Sequence, residues 1–534
     1  MALPIFIAGS SGLILTLLLI LLCMRSGCGI DWLQRPADWH HAHRGKVPRL
    51  GGLVLAAAFA AVEFGIATFY PELRASTPAR NVIVFGSLAM FALGFWDDIR
   101  SLGASTKLLC QILIAATVCS CGVRIEILSL PLTTAPLQLG AWGPIVTVIW
   151  LVGLANLINL SDGLDGLAGG ICFMLVVLMA VVGHQGGHFE LLAWGMAGAL
   201  AGFLWFNFPP ARVYLGDGGA YFLGFQVGLY SIVNSHNGAD FGALAAPLFV
   251  LALPVTDALL TILRRGLRGL PLFRPDRKHL HHRLLAVGVS PRKVLLLVYT
   301  LNLAFLLMAL AAFWSHGKRV PGLLVLAALL LFACAGTFGF SRRWFAIHRV
   351  VRSSLRMRRE IRYALSLTHW LELESRRHPG PAELWPGFVF AANKLGFASL
   401  KLTLEDEHRF WQRPTGPSGS ARCRYDCPNG SYGSIEFTSP PCSLIGSRRA
   451  RSCEQDGECG GQFRGCLAEP RLFETISELL AEAWSRSAAG WSERRVPLRF
   501  DDREPQPPAS KVAGSAQTAA MAKGVECLGQ IGEA

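Results

Sequence analysis

Asn156, Asn159, Asp162 and Asp165 recur at intervals of three in the stretch NLINLSDGLDGLAGG, at the mouth of a segment otherwise apolar enough for lipid. In a helix or a tight helical turn that spacing keeps the four groups near one side. Gly163 and Gly166 let the backbone turn and approach a ligand closely. Amide and carboxylate oxygens are the hard donors that Mg2+ takes together with phosphate oxygens and water. A calcium loop competes, but the EF-hand pattern with its terminal Glu is absent. Polar and ionisable groups at membrane depth are costly and persist where they do chemistry.

Three further clusters have the same character. Asp97 and Asp98 close the apolar run LAMFALGFWDD, followed by Lys107 and Gln111. A solvated helix end would explain the acids alone, yet adjacent carboxylates repel unless they share a proton or a cation, so a metal or a raised pKa is implied. Lys107 is placed to meet an anionic ligand. Asp217 sits between glycines in VYLGDGGAYFLGF, which by itself is ordinary turn chemistry. PDRKHLHHRLL supplies Arg277, Lys278, His279, His281, His282 and Arg283, readable as a zinc site or as a cationic clamp. Zinc wants a tetrahedral set of ligands. The interleaved cations repel a dication and suit phosphate, so the clamp is preferred. Acids for Mg2+, cations for phosphates and a carboxylate to deprotonate the attacking oxygen are what phosphoryl transfer needs.

The elements that must position these residues are membrane helices. The chain has 534 residues, 52% hydrophobic and 16% charged, with a mean hydropathy of +0.40, and is too apolar for a soluble protein of this size. Apolar windows at 4–24, 51–70, 81–96, 106–122, 142–160, 167–184, 190–208, 219–235, 241–263, 293–314 and 320–340 predict an all-α polytopic protein of about eleven transmembrane helices. Segment 4–24 reads as a retained first helix and not a signal peptide. Basic residues crowd the loop after the first window, the loop 264–292 and the segment after 340. The positive-inside rule then puts the N-terminus outside, and puts every acid and histidine cluster together with the C-terminal tail in the cytoplasm. The cation-rich segments adjoin spans, where anionic headgroups lie, so the net charge of +14 argues for lipid contact and against nucleic acid. Charges gathered at one membrane face, without an internal repeat, argue against a secondary transporter, the competing class.

A catalytic membrane domain is expected over 1–341 and a basic amphipathic juxtamembrane helix over 342–378, with Leu355, Ile361, Leu365, Trp370 and Leu373 available to lie on the membrane surface. Residues 379–500 predict a small α+β cytoplasmic domain, with a helix and strand in 381–410, a strand over 433–439 and a helix over 471–485. It carries a Cys-rich insertion (Cys423, Cys427, Cys442, Cys453, Cys459, Cys466) whose spacing lacks the paired knuckles of common zinc modules. Residues 501–534 read as a disordered tail.

In this order the clusters resemble the polyprenyl-phosphate N-acetylhexosamine-1-phosphate transferase family, a glycosyltransferase family 4-like group. The matching residues are His43, Lys46, Pro48 and Arg49 in the first loop, the Asp97-Asp98 pair, the block from Asn156 to Leu167, the turn at Asp217 and the H-x-H-H-R loop at His279. The resemblance implies transfer of a sugar 1-phosphate from a UDP-N-acetylhexosamine to undecaprenyl phosphate, with release of UMP and with Mg2+, or Mn2+, as cofactor. It implies a bacterial inner-membrane location among membrane lipids, and it leaves a homodimer open. Carried over by position, Asn159 and Asp217 hold the metal, with Asp162 near it. Asp165 contacts uracil, Lys107 and Arg283 contact phosphates, and His279, His281 and His282 frame the diphosphate and sugar. His43, Lys46 and Asn156 join the substrate site. Asp97, assisted by Asp98, is the base. Leu280 interrupts the histidine run, which favours the N-acetylglucosamine branch over phospho-muramoyl-pentapeptide transferases. Gly218-Gly219-Ala220 lacks a serine found in many relatives, which leaves the sugar open.

Overall fold

The computed structural model describes residues 2–26, 47–71, 80–100, 102–130, 135–183, 188–236, 238, 240–270, 284, 288–337, 347–378, 380–404, 407–413, 422–426, 433–439 and 470–493. The loop with His43 and Lys46, the loop with His279, His281, His282 and Arg283, five of the six cysteines named for the insertion and the tail 501–534 lie outside the described residues.

Uncharged apolar sequence becomes helix here because backbone polar groups at lipid depth must be satisfied within their own segment. The helices are α1 (Ala2–Ser26), α2 (Gly51–Phe69), α3 (Arg80–Ile99), α4 (Ala104–Ser120), α5 (Gly143–Ser161), α6 (Leu167–Val182), α7 (His188–Asn207), α8 (Gly216–Asn234), α9 (Phe241–Val250), α10 (Ala252–Arg268), α11 (Pro291–Trp314) and α12 (Val320–Thr337). Between α4 and α5, strands β1 (Ile127–Leu128) and β2 (Leu137–Gln138) make a short antiparallel ribbon.

All eleven apolar windows are helical, but eleven crossings do not follow. Among the described residues six helices are long and apolar enough to cross a membrane, or seven if the bent pair α9–α10 is one span. Helices α4 and α6 and the stretch Val320–Ala333 of α12 are apolar but only 10–17 residues long, and two further windows differ for other reasons. Helix α8 is enclosed by α2, α3, α5 and α6 and buried from Gly218 to Ile232, so it faces protein where the others face lipid and can carry Asp217 and Gln226. The window 241–263 breaks at Leu251 with a bend of 69°. Pro254 has no N–H to continue the ladder, and sits in the first turn of α10 where that absence is tolerated. Trp96 and Trp205 stand exposed at one end of the bundle and Trp142 and Trp314 at the other, as amphipathic rings do at two membrane–water interfaces.

After α12 come α13 (Ile347–Arg377), α14 (Pro381–Leu395), β3 (Ser399–Leu404), β4 (Glu407–Gln412), β5 (Arg422–Asp426), β6 (Ser434–Thr438) and α15 (Pro470–Glu493). The strands form one antiparallel sheet in the order β4-β3-β6-β5, with Leu400 opposite both Trp411 and Phe437. The period-two alternation of β3 sends Leu400, Leu402 and Leu404 into a second core with Phe397, Ile435, Phe437, Trp484 and Trp491, separate from that of the membrane bundle. Helix α13 gives one side of its expected membrane-facing stripe to protein instead. Ile361, named for the lipid stripe, is buried in this second core with Met357, Ala364 and Leu371. The indole of Trp491 donates to the carbonyls of Ser375 and His378, both at 3.1 Å, and so ties α15 to the end of α13. Strands β4 and β5 were not expected from sequence, because an edge strand with a polar outer face has little apolar alternation to reveal it.

Candidate active site

Where α3 ends, its last turn delivers Asp97 and Asp98 side by side, both buried. Helical geometry turns consecutive residues to different sides, so the two acids have different partners. Asp98 accepts from the backbone N–H of Gly218 through Oδ2 at 2.9 Å, and Arg49 approaches its Oδ1 at 3.3 Å. Asp97 accepts from the Leu102 N–H through Oδ1 at 2.7 Å and from Lys107 through Oδ2 at 2.5 Å. The Lys107 ammonium also lies 3.8 Å from Asp217 Oδ2. Asn159 donates to Asp217 Oδ1 at 3.2 Å, so the Asp97 and Asp217 carboxyls are linked through Lys107 and joined to Asn159. Asp97, Lys107, Asp217 and Asn159 thus form one continuous set drawn from α3, α4, α8 and α5.

The backbone explains how four helix ends come so close. Gly216 adopts φ +74°, a left-handed conformation that turns the chain into α8 and places Asp217 in its first turn. Gly94 of α3 packs on the same turn, where a side chain would strike the Asp217 carbonyl oxygen at 2.6 Å. The start of α2 is fastened alongside, with Gly51 and Gly52 donating to the carbonyls of Tyr214 and Leu215, both at 2.9 Å. Asp217 is the open member of the set, its side chain 30% exposed against 1% for Asp97 and 2% for Asp98.

The run of threes divides between two jobs. Asn156 donates to Gln111 Oε1 at 2.7 Å and to the Val152 carbonyl, so its amide nitrogen joins α5 to α4. Asn159 faces Asp217, whereas Asp162 caps the end of α5. Burial, with Asp98 and then Asp165 nearby, pushes the Asp162 carboxyl up to about 7. Asp165 accepts from the Ala211 N–H at 2.9 Å and braces the turn before α8. Sequence reading missed the residues that hold this turn. Asn207 accepts from the Gly166 N–H and donates to the Val213 carbonyl, Tyr299 donates to the Gly166 carbonyl at 2.5 Å, and Arg292 donates to the Pro209 carbonyl at 2.9 Å. Arg49, noted only as a loop residue, is the cation on Asp98.

Among the described residues Asp97, Asp98 and Asp217 meet Lys107 and Arg49, with Asp97 and Asp217 both turned to the one Lys107 ammonium. Among the described residues no three His, Cys, Asp or Glu side chains are gathered to hold a metal unaided. The donor set suits Mg2+, which takes one or two protein carboxylates and completes its shell with substrate phosphates and water.

The family model described as glycosyl transferase family 4 matches residues 81–235, the segment from α3 to α8 that supplies Asp97, Lys107, Asn159 and Asp217. The chain is 31% identical over 302 residues to a probable undecaprenyl-phosphate N-acetylglucosaminyl 1-phosphate transferase of Bacillus subtilis, covering 56% of this chain and 82% of the relative. It is 31% identical over 291 residues to a decaprenyl-phosphate N-acetylglucosaminephosphotransferase of Mycobacterium tuberculosis, covering 48% and 70%. An undecaprenyl-phosphate alpha-N-acetylglucosaminyl 1-phosphate transferase of Salmonella typhi is 26% identical over 364 residues, covering 66% and 95%. The protein is a multi-pass membrane enzyme of the phosphoglycosyl-transferring type. It belongs to glycosyl transferase family 4.

Proposed function

We propose that the protein transfers N-acetylglucosamine 1-phosphate from its UDP-linked form to undecaprenyl phosphate, releasing UMP and leaving a lipid-linked sugar that begins a cell-envelope polysaccharide. An oxygen of the acceptor phosphate attacks the sugar-bearing phosphorus of the donor, and the bond to UMP breaks. The observation that carries this reading is the seating of Asp217, partly exposed, between the Lys107 ammonium and the Asn159 amide at the end of the bundle. The relatives' names support transfer of an N-acetylglucosamine phosphate to a polyprenyl phosphate, undecaprenyl in two and decaprenyl in the third, and neither the transporter nor the phospho-muramoyl reading gains from them.

On this reading Lys107 and Asp217 meet the phosphates. Asp98 and Arg49 fix the first turn of α8 so that Asp217 keeps its place. A proton from the acceptor goes to the Asp97–Asp217 carboxyl pair, of which Asp217 is the open member. This modifies the assignment of Asp97 as a base that touches substrate, since both of its oxygens are engaged and its side chain is buried. Asp217 and Asn159 are the proposed holders of Mg2+, or Mn2+, which when bound neutralises charge on the diphosphate. His43, Lys46, His279, His281, His282 and Arg283 remain proposed phosphate and sugar contacts, and Asp162 and Asp165 remain proposed near the metal and the uracil.

The proposed setting is a bacterial inner membrane crossed by all eleven apolar segments, with the site and C-terminal domain in the cytoplasm. Homodimer assembly belongs to the same reading and is checked by cross-linking in membranes. The activity is tested by incubating purified protein with undecaprenyl phosphate, Mg2+ and a panel of radiolabelled UDP-sugars. Labelled lipid with UDP-N-acetylglucosamine is expected, and labelled lipid with no donor overturns the reading.

A further inference from the structure

The C-terminal domain presents a surface made by two helices that its own core does not use. Along α13, Arg359, Arg362, Tyr363, Trp370, Leu373 and Arg377 recur near helical spacing and all face outward, opposite the buried Ile361 and Leu371. Tyr363 is 44% exposed, Trp370 36% and Leu373 46%. Helix α14 adds Phe390, 47% exposed, whose ring meets that of Trp370 edge to face at 5.8 Å. The Lys394 ammonium lies 5.5 Å from the Phe390 ring centre. An aromatic and leucine centre thus carries a cationic rim. Of the acids nearby, Glu372 pairs with Arg486 at 2.9 Å, and Glu374 and Glu383 both face the His378 ring at 3.4 Å.

Two features hold this surface near the bilayer. Nine residues lie between the end of α12 and the start of α13, a reach of at most about 36 Å even fully extended. Arg358 lies across Gly269 at the end of α10, so close that a side chain at 269 would meet its Cγ at 2.7 Å. Only two turns earlier α10 exposes Leu259, Ile262 and Leu263, the kind of surface that faces acyl chains. The start of the outward stripe is therefore within a turn or two of the lipid-facing part of α10.

We propose that the Trp370–Leu373–Phe390 patch with its arginine and lysine rim lies on the anionic phospholipid headgroups beside the bundle. Aromatic rings at headgroup depth, with long cationic side chains reaching phosphate, are the composition that interfacial helices use. The composition favours lipid over a protein partner, because a membrane surface supplies negative charge for the rim and an apolar boundary for the rings together. The contact would brace α13 against the membrane while its other face carries the α+β core.

The test places a photo-crosslinking amino acid at Phe390 in the full-length protein in nanodiscs of phosphatidylethanolamine and phosphatidylglycerol. A probe at Leu307, exposed on α11, serves as the lipid-facing control. Irradiation is expected to give a phospholipid adduct at position 390, severalfold weaker in discs of phosphatidylcholine alone, while the control gives an adduct in both. The paired variant Trp370→Glu with Leu373→Glu should abolish the adduct at 390. Absence of a lipid adduct while the control labels overturns the proposal. So do a product joining two copies of the chain, and an adduct unchanged by lipid charge or by the paired variant.

Discussion

Asp98 joins two helices that are 120 positions apart in sequence, accepting the Gly218 N–H at 2.9 Å with one carboxylate oxygen while Arg49 holds the other. A carboxylate can satisfy both donors at once, whereas an amide offers one oxygen and turns an NH2 group toward the second. Asp98→Asn is expected to leave a buried donor unmet at a cost of about 1–3 kcal/mol. It should also let the first turn of α8 drift, with a loss of roughly 100-fold in turnover because Asp217 rides on that turn. Thermal unfolding in detergent and initial rates check the two effects separately. Unchanged rates in a destabilised protein would remove Asp98 from the positioning of Asp217.

Lys107 stands between two acids, 2.5 Å from Asp97 Oδ2 and 3.8 Å from Asp217 Oδ2. Lys107→Met removes the cation and leaves carboxyls facing each other in a largely buried setting, a loss of roughly 3 kcal/mol or more. A divalent ion can replace part of the missing charge. The variant is therefore expected to unfold well below the native protein in EDTA, with Mg2+ closing more of that gap than it adds to the native protein. An equal response of both proteins to Mg2+ would count against a metal held by this set. Lys107→Arg keeps the charge, so its unfolding temperature should stay closer to native.

The apolar segments and the chemical residue types were legible in sequence because both are local. Windows of apolar residues announce helices, and clustered acids at their ends announce cost that must be met. What the sequence did not disclose is long-range. Arg49 was one cation among many in a basic loop until α2 and α3 brought it to Asp98. Asn207, Tyr299 and Arg292 carry no pattern at all, and their bonds to Gly166, Val213 and Pro209 exist only once α6, α7 and α11 are packed. The apolar stripe of α13 was visible, but not which side of it would be claimed by α15 and the sheet. Hydropathy alone did not confirm eleven crossings for a related reason, since enclosure within the bundle lets α8 carry polar residues.

Asp162 provides a pH signature. Its carboxyl is pushed up to about 7 by burial, with Asp98 and then Asp165 adding to the shift, whereas the unfolded chain holds it near its ordinary value of 3.8. A raised carboxyl pKa means that the folded protein binds more protons than the unfolded chain between those values. Stability contributed at this position therefore falls as pH rises from about 4 to about 7, and stays low above that. Asp162→Asn removes the titration, so in EDTA its advantage in unfolding temperature over the native protein should be larger at pH 8 than at pH 5. A gap that does not change with pH would show that Asp162 is not held in a charge-averse setting.

Asp217 separates ligand contact from scaffolding more directly than any other position, because its side chain is 30% exposed while Asp97 and Asp98 are closed off at 1% and 2%. Replacing it by asparagine keeps the size and can keep the bond with Asn159 after an amide rotation, so the fold should survive. What is lost is the charge offered to a metal and to the phosphates. Asp217→Asn is expected to lower turnover by about 100-fold or more, the scale on which one preorganised electrostatic group acts. It should also abolish the rise in unfolding temperature produced by Mg2+. Asp97→Asn makes the contrast, since its two oxygens serve Leu102 and Lys107 inside the protein, and it should lower the unfolding temperature in EDTA while retaining some response to Mg2+. If Asp217→Asn still responds to Mg2+ and Asp97→Asn does not, the metal belongs to Asp97 and the two acids exchange places in the mechanism.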